Sequence, residues 1–114
     1  MKYKFGHHTH GETQKVYPTL TIYSPFEKLS VINAVDDLSD LDDCIIWLKE
    51  LITRDISDCS EEGILVNQPI LWGSKKSQIA DLSPDKKFIG SEEFDTEEFL
   101  NLCLAWREFL TLKR

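Results

Sequence analysis

A chain of 114 residues, 41% hydrophobic and 11% aromatic, can bury one core without disulfide or metal staples. Its net charge of −7 argues against direct nucleic-acid binding, because phosphate contacts need clustered Lys and Arg, and would instead steer a cationic protein. No apolar run approaches the roughly 20 residues of a membrane helix, and the opening MKYKFGHH lacks a signal-peptide core.

Three cysteines, Cys44, Cys59 and Cys103, cannot all pair, and two of them fall on apolar helix faces where a free thiol behaves as a small hydrophobe. The expectation is one domain spanning 1–114, in a reducing, cytoplasmic setting.

Lys2-Tyr3-Lys4-Phe5 alternates polar and aromatic residues and predicts a half-exposed strand stopped by Gly6. His7, His8 and His10 follow, and on a continuing strand His8 and His10 would share a face at the spacing of a surface metal pair. No HExxH or CxxC accompanies them, so a polar hairpin turn is the favoured assignment and no metal or cofactor is expected. Lys15 to Ser24 reads as a second strand, with Leu20 and Ile22 on one side and Pro18 confining its start to an edge. After Ser24-Pro25, the segment from Phe26 to Val35 fits either a short strand or an irregular crossover, with Leu29, Val31, Ala34 and Val35 open to burial.

From Ser39 the period becomes helical, with Leu41, Cys44, Ile45, Leu48, Leu51 and Ile52 in one stripe. Ser39 or Asp40 is the expected N-cap, with Asp42 and Asp43 in the first turn. This helix lies in a segment, Asp36 to Glu62, that holds ten acids against two bases, a local balance of −8 that accounts for the charge of the whole chain. Capping needs one or two carboxylates, yet five aspartates lie between Asp36 and Asp43, so the surplus calls for another explanation. Trp47 lies off the apolar stripe and shares a face with Asp43, Glu50 and Arg54, at offsets of −4, +3 and +7. It is either an exposed interface anchor rimmed by carboxylates or a residue covered by another part of the domain.

Ile64-Leu65-Val66 reads as a short buried strand, Asn67-Gln68-Pro69 as an interruption, and Ile70-Leu71-Trp72, Gln78 to Leu82 and Lys86 to Ile89 as further strands. Turns are expected at Gly73 to Lys76 and at Ser83-Pro84-Asp85. The last helix starts with Asp95 as N-cap, Glu98 three residues on, and Phe94 and Phe99 as a hydrophobic staple. Its stripe is Phe99, Leu102, Cys103, Trp106, Phe109 and Leu110, and Lys113 and Arg114 suit the negative end of the dipole. The expected architecture is an α+β single small domain, a mixed or antiparallel sheet of about four to five strands with two main helices packed on it.

Little in the chain points to catalysis. There is no GxSxG, no Gly-rich phosphate loop and no recognisable Cys-His signature, and Asp58 and Glu61 beside Cys59 would raise the thiol pKa rather than lower it. A non-enzyme is expected.

The pattern Phe94-Asp95-Thr96-Glu97-Glu98-Phe99-Leu100 leading to Trp106-Arg107-Glu108-Phe109-Leu110 resembles the closing helix of small bacterial immunity proteins. These neutralise the toxin domains of contact-dependent growth inhibition and related polymorphic toxin systems. The resemblance implies a cytoplasmic, acidic inhibitor that covers the active site of a cognate basic nuclease domain, with no direct contact to nucleic acid or membrane. Charge and helical position nominate Asp36, Asp37, Asp40, Asp43, Trp47 and Glu50 as the partner-binding residues. The alternative is a non-catalytic adaptor or small subunit of a bacterial complex.

Overall fold

The chain opens with a β-hairpin, β1 (Tyr3–Thr9) and β2 (Val16–Ile22), paired antiparallel without a break from Tyr3↔Ile22 to Thr9↔Val16. These positions come from a computed structural model, which describes residues 1–112; Lys113 and Arg114, and the expected charge complement to the helix dipole, lie outside the described residues. Gly6 does not end the first strand, because the ladder runs on through His7↔Pro18 and His8↔Tyr17. Leu20 and Ile22 are buried on the inner side of β2, as their alternation predicts.

The undecided stretch is neither strand nor irregular crossover but a 3₁₀ helix, Glu27–Ala34, burying Leu29 and Ile32 three residues apart. The three-residue repeat of this helix puts i and i+3 on one line, a pattern too short to stand out in the sequence. Asn33 Oδ1 accepts from Leu20 N at 2.9 Å and Ser30 Oγ from Ile22 N at 3.2 Å. Side chains thus occupy β2 donors that another strand would need, and the hairpin stays a separate two-stranded sheet.

α1 (Leu38–Thr53) buries Leu41, Ile45, Leu48 and Leu51, as its stripe requires. Its N-cap is Asp37 rather than Ser39 or Asp40: the Asp37 carboxylate accepts from Ser39 N at 2.9 Å and Asp40 N at 3.2 Å. Because the helix starts this early, Asp40 occupies the first turn and Asp42 and Asp43 fall beyond it.

β3 (Glu61–Leu65), β4 (Gln68–Trp72), β5 (Lys76–Leu82) and β6 (Phe88–Asp95) form a second, wholly antiparallel sheet in sequential order. The α+β class is therefore correct, but six strands divide into two sheets where one was expected. β3 is not the buried strand its apolar letters suggested. Leu65 is buried, whereas Ile64 is 61% exposed and Val66 lies in the turn at φ 60°, 51% exposed.

α2 (Thr96–Leu112) packs antiparallel to α1, an orientation fixed by Asp42 meeting Arg107 near one end and by Ile52 sharing a cleft with Glu98 and Asn101 near the other. Phe94 and Phe99 meet at 5.7 Å, as the predicted staple requires. The carboxylates of Asp95 and Glu98 are taken up by Lys76 and by the Met1 amine. At the start of α2, Ser77 Oγ and Thr96 Oγ1 lie 2.7 Å apart, and Thr96 Oγ1 donates to Gly73 O at 2.7 Å. This buried network ties the helix start to the β4–β5 turn.

Trp106 is fully buried, donates from Nε1 to Val35 O at 3.0 Å, and stacks with Phe5 and Phe109, which joins the amino-terminal hairpin to α2. Phe5 and Phe109 themselves stack at 4.7 Å.

Candidate functional site

The nominated residues all belong to α1 or the turn that leads into it, and the structure assigns them different work. Asp36 is exposed ahead of the helix. Asp37 is also exposed, but its Oδ1 is committed to the cap. Asp40, Asp43 and Glu50 are exposed along the outside of the helix, and no ion pair within the described residues neutralises them. Asp42, counted in the acidic surplus, is no part of it. Arg107 holds it through Nε and, at 3.3 Å, through Nη2, a two-point pair between α1 and α2. That hydrogen bond holds the Asp42 carboxyl below the ordinary carboxylate range, and the charge of Arg107 adds to the effect.

Trp47 is partly exposed and partly packed. One edge of the ring pair is supplied by Trp72 of β4, with centroids 4.9 Å apart and planes at 78°, while 39% of Trp47 stays open. Trp72 is itself buried and lies over Gly63 of β3, where a Cβ would come within 2.8 Å of the indole. Trp72 thus packs against one side of Trp47 and restricts the rotamers open to the exposed indole. Nothing in sequence spacing links residues 47 and 72, so only the fold exposes this support.

Next to Trp47, Ile46 is 55% exposed beside a shallow groove of about 380 Å³ lined by Asp42, Ile45, Ile46, Lys49, Leu104 and Arg107. The sequence offers Ile46 as a covered second-layer position and Leu104 as a widening of the α2 stripe, yet both are exposed, Leu104 at 37%. Their signal was present, since an apolar residue off the buried stripe must be covered by something or left open.

A larger cleft of about 620 Å³ lies where the end of α1, the start of β5 and the start of α2 converge, lined by Lys75, Lys76, Asp95, Glu97, Glu98 and other residues. Of its charged residues, Lys76 pairs with Asp95, and Glu98 with the Met1 amine from outside the cleft. Ser74 Oγ donates to Leu51 O at 2.7 Å and lies against Arg54 O.

The cysteines have the environments of structural thiols. Cys103 is buried in the core and contacts Cys44 across the helix pair; the hydrogen bond it donates lowers Cys44 and raises Cys103. Cys59 is pushed up first by burial and then by Glu93 and Asp58, so the expected direction holds with Glu93 in the place given to Glu61. The histidines do not converge. His7 lies against Phe109 at 5.5 Å, His10 is engaged with Thr13 in the hairpin turn, and no group of three or more His, Cys, Asp or Glu among the described residues is arranged to hold a metal. No described helix is long and apolar enough to cross a membrane.

Comparison of the chain with protein-family models, curated proteins and solved structures finds no match.

Proposed function

We propose that this protein is a cytoplasmic, non-enzymatic immunity protein that binds and neutralises a cationic toxin domain, a ribonuclease or other nuclease, by covering its active site. The single observation that carries this reading is Trp47, 39% exposed, braced by Trp72, and set on the α1 face that bears Asp43 and Glu50. An aromatic anchor inside a rim of carboxylates is the arrangement that interface hot spots use against a basic partner. Asp40, Asp43 and Glu50 would stand in for substrate phosphates toward the Lys, Arg or His groups of the toxin, and Asp36 would extend the same field. Asp37 contributes charge, while its geometry serves the helix. The overall charge of −7 speeds encounter, and the buried contacts around Trp47 set the lifetime of the complex.

The test is co-expression with the product of the neighbouring large toxin gene, reading co-purification and rescue of growth together. Asp40→Lys with Asp43→Lys should slow association about tenfold or more at low salt and flatten its salt dependence. Trp47→Ala should speed dissociation by about 2 kcal/mol, on the order of thirtyfold. Unchanged rates in both variants would remove the α1 face from the proposal.

A further inference from the structure

Three observations meet at β3. It ends the four-stranded sheet, paired with β4 on one side and with no strand on the other among the described residues. Ile64 stands opposite Pro69, which has no N–H, so this is a non-hydrogen-bonded pair of the antiparallel ladder. The N–H and C=O groups of Glu62 and Ile64 therefore point away from β4, toward open edge. Glu61 to Leu65 contains no Lys or Pro, and its register with β4 runs without a shift, so the charges of Glu61 and Glu62 are what guard the edge, and they guard it least against a basic strand.

The second observation is charge. Glu61 and Glu62 begin the strand, and Glu61 Oε2 is buried without a hydrogen-bond partner, alone in this among the side-chain atoms of the described residues. Such an oxygen is destabilising until a donor meets it. The third is continuity with the face already described. Glu61 pairs with Trp72, the ring that supports Trp47, and the same indole lies over Gly63.

We propose that the outer edge of β3 accepts an extended, Lys- or Arg-bearing segment of the partner as a fifth strand of the sheet. This rests on the reading of the partner as a cationic protein and adds where it docks. Main-chain groups of Glu62 and Ile64 supply the ladder, exposed Ile64 receives an apolar side chain on the outer face, and a basic side chain on the helix side meets Glu61 and the open part of Trp47. A strand here would occupy the edge and the α1 face at once.

The probe is a capped synthetic peptide of alternating Lys and Val, about as long as β3, titrated into the full chain and followed by Trp fluorescence and backbone amide shifts. Binding should perturb Glu62 and Ile64, and weaken about tenfold when alternate peptide nitrogens are methylated, which removes ladder donors and keeps the charge. Ile64→Pro, which removes an outward N–H and spares the β3–β4 ladder, should weaken it similarly; the methylated peptide gives the same information if that variant does not fold. Binding that ignores both changes but is lost in Asp43→Lys would overturn the edge and leave the acidic helix face as the interface. A Lys peptide that binds no better than its Lys→Glu counterpart would overturn both the edge and the cationic partner. Dimerisation of the protein alone that Ile64→Pro abolishes would assign the edge to a second copy and also overturn it.

Discussion

Gly63→Ala is a sensitive test of how the sheet supports the candidate site. A Cβ at this position would lie 2.8 Å from both Cδ1 and Nε1 of Trp72, closer than side-chain carbons approach other atoms. Trp72 is buried between β3, Trp47, Phe94 and Phe99, so its ring has little room to move. Overpacking of this kind costs about 1–3 kcal/mol. With a urea m-value of about 1–3 kcal/mol/M, the unfolding midpoint should fall by about 1 M. Because Trp47 rests on Trp72, intrinsic fluorescence of the folded variant should change as well. Gly11→Ala is the control: nothing lies within 4 Å of its Cβ and its φ is not positive, so the substitution should be neutral or stabilising by up to about 1 kcal/mol. Equal midpoints and equal spectra for the two variants would refute the close packing of Trp72 on Gly63.

Asp37→Ala removes the acceptor for Ser39 N and Asp40 N and should cost about 1 kcal/mol in urea unfolding, with Asp37→Asn retaining most of the stability. Val66→Gly should stabilise by about 1 kcal/mol, seen as a raised midpoint, because a β-branched residue at φ 60° is strained and its exposed side chain gives up little packing. The Asp42 carboxyl is lowered in the folded protein by Arg107, so the stability from this pair is present above the unfolded aspartate value of about 3.9 and is lost as pH falls through the lower folded one. Wild type should therefore exceed Arg107→Met in stability at neutral pH, with the gap narrowing only below about pH 4. A gap constant down to pH 2 would show that Arg107 acts through packing.

Both helices and their buried faces were legible in the residue order, because a 3.6-residue period reports which side of a helix meets the core whatever that core contains. Leu41, Ile45, Leu48 and Leu51 on α1, and Phe99, Leu102, Cys103, Trp106 and Leu110 on α2, are buried as their spacing requires. The concentration of acids in residues 36–62 was equally plain, since charge is additive along a chain and needs no fold.

Tertiary structure decided what each of those acids does. Asp37 became the cap only because the helix begins at Leu38, and Asp42 left the surplus only because α2 brings Arg107 to it from 65 residues away. Contacts between residues apart in sequence likewise hid the brace beneath Trp47 and the division of the strands into two sheets, where side chains of the 3₁₀ segment satisfy β2. β3 marks the limit most clearly. Ile64, Leu65 and Val66 are alike in hydrophobicity, and whether such a run is buried depends on which faces neighbouring elements cover, a property of the assembled layers rather than of the residues themselves.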